Sequence, residues 1–336
     1  MIRVGINGFG RIGRAALRAA FGRNDIQVVA MNDLGAPATL AHLLKYDSVF
    51  RTWEHTVGAT DHALIIDGVQ IPVSAEKDPA HIPWKVHKVD VVLECTGRFT
   101  KHAEAGMHLT SGAKAVVISA PSHDAPTYVM GVNHGLHKGT EQIVNNASCT
   151  TNSVAPVIAI LHEALGVKKA MMSTIHSMTA EQNVVDALPP ALHPDLRRAR
   201  AASVNIIPTS TGASSATGKV VQGLEGRFDG IAFRVPTLDV SLSDITALVS
   251  KPTTVEEVNE LFTLAAENPR WKGIVGVSAV PLVSSDFVGS SFSAIVDLAL
   301  TRVTDHDLVK VVAWYDNEWA YAARLLDLAE HIGNNI

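Results

Sequence analysis

The chain has 336 residues, 47% of them hydrophobic, enough to bury a large core and to divide into two domains. A formal charge of −5 argues against a general affinity for nucleic acid or for anionic membrane surfaces. Its two cysteines, Cys95 and Cys149, are too few for a disulfide framework, which points to a reducing compartment, and no Cys/His spacing reads as a metal site. No uncharged apolar run approaches the ~20 residues of a membrane span, and "MIRVGINGFG" reads as a strand rather than a signal segment. The expectation is a soluble, cytoplasmic chain.

In chain order, 2–7 (IRVGIN) and 27–32 (QVVAMN) are short β-rich runs flanking the apolar-periodic helix pattern "RAALRAAF". Further β-like runs follow at 89–94, 115–119 and 142–145, with helix-like stretches or loops between them. This alternation predicts a Rossmann-type, doubly wound parallel sheet covered on both faces. After "SCTTN" comes "SVAPVIAILHEALG", a helix with Gly166 as its C-cap. Longer strands at 171–177, 231–235, 239–249, 292–297 and 309–314 then suit a mixed sheet in a second, α+β domain. "TVEEVNELFTLAAEN" interrupts them as an amphipathic helix with Thr254 as N-cap, and 317–332 reads as a last helix returning to the first domain. The division expected is 1–148, completed by 317–336, for the first domain and 149–316 for the second.

"INGFGRIGR" holds a G-x-G-x-x-G between strand and helix: Gly8, Gly10 and Gly13, with Arg11 and Ile12 inside it. Such a turn lets backbone approach a pyrophosphate at a helix N-terminus. Asp33 lies twenty residues past Gly13, where an acidic side chain binds an adenosine ribose and repels a 2′-phosphate. A dinucleotide site for NAD rather than NADP is expected.

Cys149 sits among Ser148, Thr150 and Thr151 rather than Leu or Val, at the start of a helix whose dipole favours a thiolate. His176, in "STIHSMT", is the candidate base, since a Cys–His pair is the general way to activate a sulfur nucleophile. A thiol pKa below its free value of ~8.5 is expected for Cys149. Cys95, inside "VVLECTG", reads as inert packing. "DLRRAR" and "IIPTSTGA" combine guanidiniums, hydroxyls and a turn at Gly212, as phosphate oxygens require. Arg200 and Arg234 are assigned to ligand, and Arg197 and Arg198 to surface or interface ion pairs.

Taken together, "INGFGRIGR", "HLLKYDS", "ECTGRFT", "SCTTN", "RAASVNIIPTSTGA", "FRVPT" and "WYDNEW" resemble, in order, the blocks of the phosphorylating glyceraldehyde-3-phosphate dehydrogenases. That resemblance implies a homotetramer of the glycolytic and gluconeogenic route in which aldehyde, NAD and inorganic phosphate give an acyl phosphate and NADH. It implies that Thr179 and Arg234, with Arg200, hold the substrate's phosphate or a neighbouring anion, and that Ser148, Thr150, Thr211 and Gly212 hold the incoming phosphate. Lys77, Thr96, Ser119, Asn317 and Tyr321 would join the cofactor set, Asn317 on the nicotinamide amide. The chain departs from the family at Ser153, at Lys77, at "YDSVFRTW" and in a longer stretch over 187–194. The nearest rival is erythrose-4-phosphate dehydrogenase, which shares "SCTTN" and "HPDLRR" but usually lacks the Thr-Ser-Thr-Gly loop that is complete here at 209–212. A Cys–His hydrolase fits the dinucleotide turn poorly, and a binding protein on a dead fold fits the intact Cys149, His176 and Arg234 poorly.

Overall fold

Residues 1–189 and 194–336 are described by the computed structural model, so 190–193, within the long stretch singled out at 187–194, lie outside the described residues. The chain divides into two units, Met1–Ser148 with Tyr321–Ile336, and Cys149–Ala320.

In the first unit the strands are β1 (Ile2–Asn7), β2 (Ile26–Asn32), β3 (Val57–Thr60), β4 (Ala63–Ile66), β5 (Val69–Ser74), β6 (Val91–Glu94), β7 (Ala115–Ile118) and β8 (Ile143–Asn145). They form one sheet in the order β3-β4-β5-β2-β1-β6-β7-β8. From β5 to β8 every neighbour is parallel, as the strand–helix alternation predicts. Side chains alternate between faces along a strand. Val91 and Leu93 therefore join the core formed with Leu17, Leu325 and Leu326, while Val92, Val116 and Ile118 join the one around Trp84. Both faces are covered, so these strands read as unbroken apolar runs. The sequence reading missed the antiparallel ribbon β3-β4-β5 at one edge. Its signal was present: Asp67-Gly68, at φ 47° and 82°, is the two-residue turn between β4 and β5.

The second unit has β9 (Val167–Ser177), β10 (Ile207–Ser210), β11 (Phe228–Val235), β12 (Ser241–Val249), β13 (Val275–Ser278), β14 (Ala294–Asp297), β15 (Arg302–Thr304) and β16 (Leu308–Tyr315). The sheet is mixed, in the order β10-β11-β9-β12-β16-β14-β13, with β15 on β16. The helix Cys149–Leu165 begins at Cys149 itself, four residues before the apolar run that announced it, and is buried from Thr150 to Leu161. The last helix, Trp319–Gly333, starts two residues later than expected. Asp316 takes the Glu318 and Trp319 amides at 2.9 and 2.6 Å, and this cap leaves Asn317 off the helix.

The helix Val255–Glu267 opens with a complete capping box, Thr254 accepting from the Glu257 amide and Glu257 from the Thr254 amide. Thr254→Ala should lower stability by about 1 kcal/mol in denaturant titration and leave steady-state kinetics unchanged.

Candidate active site

Asn145 closes β8 and holds the turn that follows, its amide donating to the carbonyls of Ala125 and Pro126 and its Oδ1 accepting from the Ala147 amide at 2.9 Å. Ala147 sits at φ +54°, and Tyr321 donates to its carbonyl at 3.0 Å. The polar residues before the cysteine thus build a strained turn that ends the first unit at Ser148.

Cys149 Sγ lies 3.4 Å from His176 Nε2. The parallel pairing of β11 and β9 sets Arg234 opposite His176. The Ser177 carbonyl is 2.7 Å from His176 Nδ1 and 3.1 Å from Arg234 Nη1. A carbonyl only accepts, so Nδ1 carries the ring proton and Nε2 turns its lone pair toward the sulfur. Arg234 Nη1, 3.0 Å from Nδ1, then acts on the ring through charge rather than a hydrogen bond. Burial first, and Arg234 second, push the imidazole down to about 3. It is a neutral base.

The depressed thiol expected for Cys149 is not found. Crowding by the surrounding protein pushes it up, against the opposing pull of Arg234. Cys95 packs against the core, as expected, while also lining a cavity, and burial pushes its thiol up to about 12.

Arg198 and Arg200 differ in burial in the opposite sense to their assignments. Arg200, assigned to the anion site, is exposed and donates to Asp186 at 2.7 Å. Arg198, assigned to the surface, is buried at 6% exposure, pairs with Glu181, and lowers the pKa of His176 by its charge. The two are two residues apart at the end of the single turn Leu196–Ala199, so they point to different sides. Arg197 does pair on the surface, with Asp195. Arg234 Nη1 reaches Thr179 Oγ1 at 3.3 Å, and Nη2 is 4.0 Å from Glu181. The Nε atoms of Arg198 and Arg234 and Nε2 of Gln182 are buried without a hydrogen-bond partner. Three unsatisfied donors, two of them in guanidiniums that also face Glu181, leave room for a further acceptor.

The Thr150 hydroxyl meets the Tyr315 phenol at 3.0 Å and also bonds the Cys149 thiol. Tyr315 also bonds Thr174 at 2.8 Å and sets its ring edge against His176; the sequence reading passed over it as part of "WYDNEW". Thr211 Oγ1 accepts from the Ala213 amide at 3.2 Å, and Gly212 begins the helix Ala213–Val220 with open space where a Cβ would stand. Asn317 Oδ1 accepts from Ser177 and Ser241 at 2.9 and 2.6 Å.

In the first unit a cavity of about 610 Å³ opens over the strand ends, lined by Gly8, Gly10, Asp33, Lys77 and Thr96 as expected. Asn7, Asn32 and Arg98 line it as well, unanticipated. A Cβ on Gly13 would lie 2.2 Å from the Gly8 carbonyl oxygen, whereas one on Gly10 would meet nothing within 4 Å. Gly13 closes the turn; Gly10 leaves room. Asp33 accepts from the Phe9 and Gly35 amides at 2.7 and 2.8 Å and keeps lone pairs for ribose hydroxyls. The cradle fits a dinucleotide. The Arg11 guanidinium pairs with Asp47 and the Ile12 side chain packs on the core, while both backbones open the helix at the glycine turn; Ser119 bonds the thiol of Cys95, itself a lining residue. Among the described residues no group of three or more His, Cys, Asp or Glu is placed to hold a metal ion.

A glycine turn and strand-end acid over one cavity, with a thiol–imidazole pair in the other unit, define an NAD-dependent oxidoreductase. The NAD-binding domain model of glyceraldehyde 3-phosphate dehydrogenase matches residues 2–102, and the C-terminal domain model of the same enzyme matches 148–317. The chain is 50% identical to glyceraldehyde-3-phosphate dehydrogenase 1 of Bacillus cereus, over 99% of this chain and 98% of that one. It is 49% identical to the Geobacillus stearothermophilus enzyme (99% and 98%) and 46% identical to glyceraldehyde-3-phosphate dehydrogenase 1 of Saccharomyces cerevisiae (99% and 99%). The chain belongs to the glyceraldehyde-3-phosphate dehydrogenase family.

Two outcomes follow from this geometry. Gly10→Ala should melt like the parent yet bind NAD more weakly by calorimetry, whereas Gly13→Ala should lose about 1–3 kcal/mol of stability. Iodoacetamide should label Cys149 ahead of Cys95, at a rate that climbs with pH across roughly pH 6–9 in the free protein. A plateau near neutrality would instead reveal a preformed thiolate. His176 adds a stability term: between its ordinary 6.5 and about 3 the unfolded chain takes a proton that the folded one refuses, so stability falls as pH drops through that window.

Proposed function

We propose that this chain oxidises glyceraldehyde 3-phosphate with NAD and inorganic phosphate to 1,3-bisphosphoglycerate, through a thioester on Cys149. The observation that carries the reading is the 3.4 Å approach of Sγ to a proton-accepting Nε2, beside buried guanidinium donors that lack acceptors.

As Cys149 sulfur bonds the aldehyde carbon, its proton passes to His176 Nε2, which returns it to the alkoxide to complete the hemithioacetal. Proton transfer of this kind contributes roughly 10²–10⁴-fold in rate. NAD, when bound, supplies the acceptor for the hydride that this carbon then gives up. His176 takes the hydroxyl proton as the carbonyl re-forms, leaving a thioester. Phosphate attacks that carbonyl and expels the Cys149 thiolate, which regains a proton. Sulfur suits both halves, because a thioester keeps its acyl group activated where an oxygen ester would not.

Arg234 and Thr179, with Arg198 in place of Arg200, hold the anionic groups, and Thr211, Gly212 and Ser148 serve the attacking phosphate. The first unit acts as the NAD-binding domain and the second as the catalytic one, with Asn317 and Tyr321 steadying the nicotinamide end. Association into a homotetramer draws support from Val184, Val185, Leu188, Leu196, Val204 and Ile206, all at least 69% exposed. A cytoplasmic setting fits the two free cysteines, and no described helix is long and apolar enough to cross a membrane.

Absorbance at the NADH band should rise with glyceraldehyde 3-phosphate, NAD and phosphate together, with NADP a poor substitute. Acyl phosphate should form only when phosphate is supplied; phosphate-independent release of the free acid would overturn the reading. Arg198→Leu and Arg234→Leu should each raise KM for the aldehyde or for phosphate by about tenfold or more. Arg200→Leu should leave both nearly unchanged.

A further inference from the structure

Glu94 closes β6, is buried at 1% exposure and takes no part in the reaction steps above, yet its neighbours Cys95 and Thr96 line the dinucleotide cavity. Oε1 accepts from the Thr96 amide at 2.8 Å and from the Thr96 hydroxyl. Oε2 accepts from Asn7 Nδ2 at 2.6 Å and faces His108 Nε2 at 3.0 Å. On the far side of that ring, Trp84 Nε1 donates to His108 Nδ1 at 2.9 Å. An indole N–H can only donate, so Nδ1 holds the lone pair and Nε2 the proton. His108 therefore stays neutral, a hydrogen-bond donor to Glu94 and not its counter-ion. Four neutral donors fill the acceptor positions of the carboxylate, an arrangement that the ionised group completes. The fold thus fixes a buried negative charge behind the Asn7 and Thr96 lining of the cavity and shields it from salt.

Its side of the sheet matters. Asp33 follows β2 on one side of β1, and Glu94 ends β6 on the other. A dinucleotide bound across such a sheet lays its adenosine half over the first side and its nicotinamide half over the second. The nicotinamide ring is cationic in NAD⁺ and neutral in NADH. We propose that the Glu94 carboxylate is a specificity-determining charge that makes the site favour the oxidised cofactor over the reduced one. The proposal rests on reading the cavity as the NAD site. It gives the charge a use: the form that must bind is held, and the form that must leave is not.

Dissociation constants for NAD⁺, NADH and ADP-ribose, measured on the full chain and on Glu94→Gln, test it. The amide keeps the shape and removes the charge. NAD⁺ should weaken relative to NADH by on the order of three- to tenfold, with ADP-ribose, which lacks the ring, following NADH. If all three weaken by one common factor, Glu94 only supports Asn7 and Thr96, and the proposal fails. If the parent chain binds none of the three, the reading of the cavity fails instead. Should Glu94→Gln not fold, the double variant Glu94→Gln with His108→Gln, which also removes the ring donor that the new amide would meet, carries the test. NAD⁺ should again lose ground to NADH; an unchanged ratio overturns the proposal.

Discussion

The second unit depends on one register, Arg234 opposite His176 in the parallel pairing of β11 with β9. A slip of one residue would send every side chain of β11 to the other face and remove the guanidinium from the ring. Three strands lock the arrangement. β9 lies between β11 and β12, and the Ser241 hydroxyl of β12 accepts from the Ser177 amide at 3.1 Å while donating to Asn317. The Ser177 carbonyl then accepts from both the imidazole and the guanidinium. One peptide carbonyl fixes the tautomer, the place of the cation and, through its own residue's hydroxyl, the side chain of Asn317.

Two buried polar clusters, one in each unit, are built in opposite ways. In the first, Glu94, Asn7, Asn32 and Ser74 form a chain in which acceptors are filled: Asn32 donates to Asn7 at 2.9 Å and accepts from Ser74 at 2.8 Å. Such a network is rigid and specifies one geometry. In the second, donor atoms of Arg198, Arg234 and Gln182 are buried with nothing to accept from them. Leaving such groups unpaired costs roughly 1–3 kcal/mol each, which an anion recovers on arrival. A filled network suits a wall that holds its shape; an unfilled one suits a site waiting for charge.

Much of this was legible in the sequence, and the failures have physical reasons. Apolar runs at 89–94 and 115–119 gave the buried parallel strands because both faces of that sheet are covered. The glycine turn with Asp33, and the lone cysteine among polar neighbours with a histidine one strand later, gave both sites. Arg198 and Arg200 could not be told apart, because a short turn has no periodicity to say which side chain points inward. Tyr315 was hidden by its setting in an apolar strand, where an aromatic residue reads as core. The helix start at Cys149 was read from its polar neighbours rather than from the apolar run, because Thr150, Thr151 and Asn152 are buried polar residues in its first turn that hydrophobic pattern cannot count. Asp67-Gly68 was the avoidable miss.

The thiol pKa was the deeper error, because a helix start is only one of the forces acting there. Enclosure opposes the charged form of either partner, pushing the thiol up and the imidazole down, and Arg234 adds to the second shift. Both shifts favour the neutral forms of the pair. Arg234 lowers the basicity of His176 only while its own charge is uncompensated. A phosphate group accepting from Arg234 and Arg198 would offset that charge, raise the imidazole toward its ordinary value, and make Nε2 a stronger base. The substrate's own anion would thus ready the base that its aldehyde needs. On this account the buried cation does two jobs with one charge: it binds the anion, and until the anion arrives it pulls the thiol and the imidazole down together, favouring the thiolate while weakening the base that would take its proton.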